Sequence, residues 1–126
     1  MKPYEFEQLV CDHYRQKGYR VQTTSASNDY GIDVFAEKKG EKIAVQVKMY
    51  GGSTRKVNRQ TMMELYGAAA YFDCTKAVLA TDGEVLTDAK EVAHKLGIDI
   101  LFIQPDRKIS MPSASSAEWS LADIIW

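Results

Sequence analysis

Residues 32–49, IDVFAEKKGEKIAVQVKM, constrain this chain more than any other stretch, because they read as two alternating strand segments, residues 32–38 and 42–49, around Lys39-Gly40. If Lys39-Gly40 is a two-residue turn, Lys38 faces Glu41 and Glu37 faces Lys42, two opposite-charge pairs that support one register. Continuing that register sets Asp33 directly opposite Gln46. Side chains alternate along a strand, so Asp33, Gln46 and Lys48 share one face and Val34, Val45 and Val47 the other. A slip of one residue would send Asp33 to the face away from Gln46 and Lys48.

The rest of the chain supplies elements to cover both faces. Pro3 suits a first helical turn, Phe6, Leu9, Val10, His13 and Tyr14 recur at helical spacing, and Gly18 stands where a C-terminal cap belongs, which predicts an amphipathic helix over residues 3–17. A short strand over residues 19–24 and a polar turn over 25–30 lead into the hairpin. After it come a flexible Gly51-Gly52-Ser53-Thr54 loop and a helix over 57–72, whose Gly67-Ala68-Ala69-Ala70 patch permits close packing and whose Met62 and Met63 read as core. A strand over 76–80, a helix over 88–96 capped by Thr87 and ended by Gly97, and a strand over 99–103 complete the order helix, three strands, helix, strand, helix, strand. The fold class is α/β: a central mixed sheet of about five strands flanked by helices, in αβββαβαβ order.

At 126 residues, 45% hydrophobic and 26% charged, the chain has the balance of one globular domain. The expected division is a domain over residues 1–104 and a tail over 105–126, serine-rich and closing on EWSLADIIW, which either folds back on the core or makes a dimer contact. No apolar run approaches the roughly 20 residues of a membrane helix. Cys11 and Cys74 fit no zinc spacing and read as free thiols of a soluble, cytoplasmic protein. The net charge of -1 hides an asymmetry: residues 38–59 carry seven basic side chains against Glu41 alone, leaving the remainder at -7. Such a block permits phosphate contacts, although charge alone equally describes a solvated hairpin tip and loop.

The face bearing Asp33, Gln46 and Lys48 has its own chemistry. Hard divalent cations take oxygen ligands, and Asp33 with the Gln46 carbonyl supplies two. A bound cation acidifies water and offsets charge on a pentavalent phosphate, and the Lys48 ammonium beside it orients the nucleophile or stabilises the same charge. The layout is that of metal-dependent phosphodiester hydrolysis, although aspartate at a strand start and lysine at a strand end are also common in inert sheets.

Phe6-Glu7, Gly18-Tyr19, Asn28-Asp29-Tyr30-Gly31-Ile32-Asp33, Val45-Gln46-Val47-Lys48, and Ala80-Thr81-Asp82 followed by Thr87-x-Ala89 together resemble the Mrr-type restriction-endonuclease catalytic domain of the PD-(D/E)xK nuclease superfamily. The resemblance implies a restriction-endonuclease-like fold, a metal held by Glu7, Asp33 and Gln46, and Lys48 as the catalytic lysine, with Gln46 in a place usually held by an acid. It leaves two carboxylates at the cation, so weak metal binding without DNA is expected. The implied activity is a Mg²⁺-dependent DNA endonuclease, with Mn²⁺ an expected substitute. Lys38, Lys42, Arg55, Lys56, Arg59, Gln60 and Tyr30 are the candidate DNA contacts. Asp29 fits a loop cap as well as a DNA contact, and His13 and His94 read as packing or surface.

Cutting both strands of a duplex or junction needs two sites, which makes a homodimer the expectation. Relatives of this type usually carry a separate recognition domain, for which the chain has no room. That favours structure-selective cleavage of branched or junction DNA in the manner of a Holliday-junction resolvase, a stand-alone Mrr-like nuclease, or a separate recognition subunit. The alternative is a non-catalytic module that keeps the fold to bind DNA or a protein.

Overall fold

A computed structural model of the chain describes residues 1–24 and 30–104. It contains α1 (Pro3–Gln16), β1 (Arg20–Thr23), β2 (Val34–Lys38), β3 (Glu41–Lys48), α2 (Arg59–Tyr71), β4 (Lys76–Thr81), α3 (Thr87–Leu96) and β5 (Asp99–Phe102), in the expected αβββαβαβ order. The five strands form one mixed sheet in sequence order. β1, β2 and β3 pair antiparallel through short connections, whereas β3, β4 and β5 run parallel because α2 and α3 carry the chain back each time. The proposed tail and the 25–29 turn, including Asp29, lie outside the described residues.

Each face of the sheet buries its own core. Phe6, Val10, Cys11 and Tyr14 of α1 pack on Val34, Ala36, Ile43, Val45, Val78 and Ala80. Met62, Leu65, Ala68 and Ala69 of α2 and Ala89 and Ala93 of α3 pack on Ala44, Ala77 and Leu79. The alternation along β3 is thus as read: Ile43 and Val45 turn to α1, Ala44 to α2. Both cysteines are free thiols. Among the described residues no helix is long and apolar enough to cross a membrane.

Several local expectations are corrected. α2 starts at Arg59 rather than at Val57, because Val57 is held in an isolated parallel bridge with Val85 and the Asn58 side chain caps the helix from Thr61 N–H. α3 begins one residue earlier, with Leu86 at its N-cap and no side-chain cap from Thr87. Met63 is 53% exposed while Met62 is fully buried, and Gly67 faces open space, so the close approach to α3 falls to Ala68 and Ala69.

The hairpin register is as read from Lys38↔Glu41 to Val34↔Val45, with Gly40 alone taking positive φ in the turn. The charge pairs thought to hold it do not form. Glu37 pairs with Arg20 of β1 (2.7 Å), Lys42 Nζ donates to the Phe72 carbonyl at the end of α2 (2.9 Å), and Glu41 accepts from the Tyr19 hydroxyl.

Candidate active site

The β2–β3 ladder stops at Val34, and Asp33 is not paired with Gln46 in it. The Asp33 N–H donates to Val45 O (2.9 Å), and Asp33 Oδ2 accepts the Val47 N–H (2.7 Å), so a carboxylate stands where a ladder carbonyl would. A residue set aside at a strand end in this way has its side chain re-aimed. The Asp33 carboxylate lies within electrostatic reach of both Lys48 on β3 and Glu7 on α1, bringing together charges from the two layers. Burial pushes its carboxyl above the ordinary aspartate range, against the opposing pull of the Val47 N–H and Lys48. Half-buried Glu7 is also pushed up, first by burial and then by the Asp33 charge.

Gln46 is the residue before Val47, whose N–H holds the Asp33 carboxylate. Its side chain is 7% exposed, and its Oε1 is buried without a hydrogen bond from the protein. Such an acceptor costs free energy unless something else satisfies it. Gly31, at φ +82°, leaves the space for the amide: a Cβ there would come within 2.9 Å of Gln46 Nε2. The carboxylates of Glu7 and Asp33 and the amide oxygen of Gln46 are oxygen donors of the kind a hard divalent cation takes. Among the described residues no three His, Cys, Asp or Glu cluster as ligands, as follows when the third donor is an amide.

Lys48 is held from behind. The hydroxyl of Thr81, a fully buried side chain, donates to Lys48 O (2.7 Å) and accepts the Gly83 N–H (3.0 Å). The next residue, Asp82, accepts the Gly51 N–H (2.7 Å), and Val57 exchanges hydrogen bonds with Glu84 O and Leu86 N–H. The loops after β3 and β4 are thereby tied along their length. At the start of the Gly51–Thr54 stretch the backbone runs close to β4, since a Cβ on Gly51 would come within 2.6 Å of Asp82 Oδ2. Thr81 and Asp82 had stood out only through the family resemblance, since nothing in their local pattern marks them as supports for Lys48.

The sequence model of the "Restriction endonuclease" family (Mrr_cat) matches residues 1–108. The chain belongs to this family. An uncharacterised protein, y4cE, of Sinorhizobium fredii (strain NBRC 101917 / NGR234) is 34% identical over 98 residues, covering 69% of this chain and 25% of that protein. A UPF0102 protein of Aquifex aeolicus (strain VF5) is 39% identical over 49 residues, 38% of this chain and 48% of that one. The aligned stretch thus spans a quarter of the first relative and about half of the second.

Solved structures share the restriction-endonuclease-like fold. A protein of unknown function, AF1548, superposes with a TM-score of 0.61 at 20% identity over 76% of this chain and 56% of that one. An XisH family protein from Nostoc punctiforme PCC 73102 gives 0.56 at 18% identity over 85% and 97%. The DNA modification-dependent restriction endonuclease AspBHI gives 0.52 at 14% over 84% and 34%.

In this restriction-endonuclease family chain, the basic block does not make one surface. Lys48, Arg55, Lys56 and Gln60 line one open cleft of about 410 Å³. Arg59, at the start of α2, pairs with Asp88 (2.8 Å), and Lys56 with Glu84 (3.3 Å). Lys38 and Lys42 sit toward the opposite end of the hairpin, where Lys38 Nζ donates to Lys17 O (2.9 Å) above the Tyr19 ring and Lys42 reaches Phe72. Tyr30 is 52% exposed and stacks on Tyr71, with ring centroids 5.1 Å apart. Tyr50 and Glu64 also line the cleft and had not been singled out. His13 packs edge-on against Tyr14, and His94 is on the surface.

Proposed function

We propose that this chain is a Mg²⁺-dependent DNA endonuclease domain, with Mn²⁺ as an alternative ion, in which Glu7, Asp33 and Gln46 hold the metal and Lys48 assists hydrolysis. The observation that carries the reading is the buried, unsatisfied Gln46 Oε1 in a site whose two carboxyls are both pushed up by burial. The cation, when bound, supplies Lewis acidity toward water and phosphate oxygen. The protein's own groups do the rest. Asp33, held through Oδ2 on the Val47 N–H, offers its other carboxylate oxygen to the cation. Lys48, anchored through its carbonyl by Thr81, presents an ammonium that holds the attacking water or offsets charge on the phosphate. Arg55, Lys56 and Gln60, which share a cleft with Lys48, are the candidate contacts to the DNA backbone, with Arg59, Tyr30, Lys38 and Lys42 as further contacts.

The substrate reading is structure-selective cleavage of branched or junction DNA by a homodimer, because two strands need two sites; a stand-alone restriction activity or a separate recognition subunit are the other forms of the same chemistry. The catalytic domain spans residues 1–104, followed by the 105–126 tail. The test is cleavage of linear, supercoiled and four-way-junction DNA with Mg²⁺ or Mn²⁺, comparing wild type with Asp33→Ala and Lys48→Ala. Cleavage by wild type alone, strongest on the junction, is expected. No metal-dependent nicking of any substrate, or wild-type activity retained in both variants, overturns the enzyme reading in favour of a binding module.

A further inference from the structure

The loop after β3 contains a small built unit. Tyr50 O accepts both the Ser53 N–H (3.1 Å) and the Ser53 hydroxyl (2.7 Å), and Ser53 Oγ in turn accepts the Arg55 N–H (3.1 Å). The backbone thus returns Arg55 over its own anchor, where the guanidinium carbon lies 4.5 Å from the Tyr50 ring centroid. Lys48 Nζ approaches the same ring at 5.9 Å. Gly83 packs against the root of Tyr50, where an added Cβ would lie 2.7 Å from Tyr50 Cβ. A cation attracted to the face of an aromatic ring is biased toward one position rather than free to sample solvent.

The neighbouring charges decide which cation is available. Lys56 is engaged by Glu84 and Arg59 by Asp88, whereas among the described residues Arg55 is in no ion pair. Glu64, the acidic residue in the cleft's lining, accepts from Gln60 Nε2 (3.0 Å), and Lys48, Arg55 and Lys56 are the cationic side chains of the same lining. Lys48 lies within electrostatic reach of Asp33.

We propose that this cleft is a phosphate subsite adjoining the metal-binding cluster at Lys48, in which Arg55, positioned by Tyr50, holds a DNA phosphodiester next to the one being cut. The proposal rests on the nuclease reading for its ligand class. Tyr50 is a positioning residue, acting through Arg55, and its ring face rather than its hydroxyl is what matters.

The test is the salt dependence of binding to a fluorescein-labelled duplex by anisotropy, in an Asp33→Ala background that blocks cleavage. Arg55→Ala should lower the slope of log K against log salt by about 1, the loss of one phosphate contact. Tyr50→Leu, which keeps apolar bulk, should weaken binding about fivefold, as expected for a lost cation–π support. Tyr50→Phe should bind as wild type, and the Tyr50→Leu/Arg55→Ala double variant should bind no worse than Arg55→Ala alone. In cleavage assays with Asp33 intact, KM should rise while kcat holds. An unchanged slope in Arg55→Ala, full additivity of the two substitutions, a fall in kcat at constant KM, or no DNA binding by the parent protein each overturns the subsite. Melting temperatures of all variants separate these effects from misfolding. If wild type fails to cleave but the slope changes appear, the nuclease reading falls and the subsite stands; cleavage with unchanged slopes gives the reverse.

Discussion

Thr81→Val exchanges a buried hydroxyl for a methyl of nearly the same shape and isolates what the hydroxyl does. In the wild type the hydroxyl makes two hydrogen bonds, to Lys48 O at 2.7 Å and from Gly83 N–H at 3.0 Å. Each is worth about 1 kcal/mol net, and both partners are only part-buried, so about 2 kcal/mol of stability should be lost rather than the larger penalty of fully buried orphans. For a domain of this size roughly 4 °C accompanies each kcal/mol, which predicts a melting temperature about 8 °C lower by calorimetry. Thr81→Ser keeps both hydrogen bonds and removes one methyl, at about 1 kcal/mol, so it should melt between the two. Activity should separate the variants further. With its carbonyl released, the end of β3 no longer fixes Lys48, and kcat for DNA cleavage should fall by about tenfold or more in the valine variant, a loss of about 1.4 kcal/mol in the transition state. The serine variant should stay near wild type. A valine variant that melts with wild type, or a serine variant as impaired in kcat as valine, would refute the claim that the hydroxyl holds Lys48.

The remaining expectations concern charge. Burial raises the Asp33 carboxyl above its ordinary value of 3.8, so the folded state binds this proton more tightly than the unfolded state; the associated stability is complete below 3.8 and is lost as pH rises through the folded value. Asp33→Asn should therefore raise the metal-free melting temperature at pH 8, with the gain shrinking on acidification, and should abolish the stabilisation by added Mg²⁺; a pH-independent difference in thermal melts would contradict this. Gln46→Glu buries a third carboxylate beside Asp33, so metal-free protein should be less stable than wild type at pH 8 while Mg²⁺ affinity by calorimetry rises; unchanged affinity would count against Gln46 as a ligand. Arg59→Ala breaks an exposed pair with Asp88 and should cost at most about 1 kcal/mol in denaturant unfolding, an effect that high salt erases.

How much of this site could be read from residues alone turns on the reach of each signal. The two-residue turn at Lys39-Gly40 set the register correctly because it is a local device, and the alternation along β3 then sorted Ala44 from Val45 without further help. The reasons offered for that register did not survive, since Glu37 found Arg20 on a third strand and Lys42 found the end of α2. Exposed charges choose among partners by proximity in the finished fold, which spacing along one hairpin does not contain. Met63 failed similarly: helical periodicity allows two adjacent methionines to be apolar, but only the packing against β4 and α3 decides which is covered.

Asp33 shows where local reading stops and why the error is informative. Extending the register placed it opposite Gln46 as one more strand residue, and a strand residue there would spend its N–H and C=O on the ladder with its side chain normal to the sheet. Instead its carboxylate takes over the Val47 N–H at the end of the sheet, where Glu7 from the opposite layer comes within electrostatic reach. A regular ladder could have joined Asp33 to Gln46 and Lys48 on one face but would have kept it from the α1 side. Departure from regular pairing therefore accompanies the approach of Asp33 to Glu7 of α1 and Lys48 of β3, and the residue before the Val47 that holds Asp33 is Gln46, whose amide oxygen is buried without a protein partner.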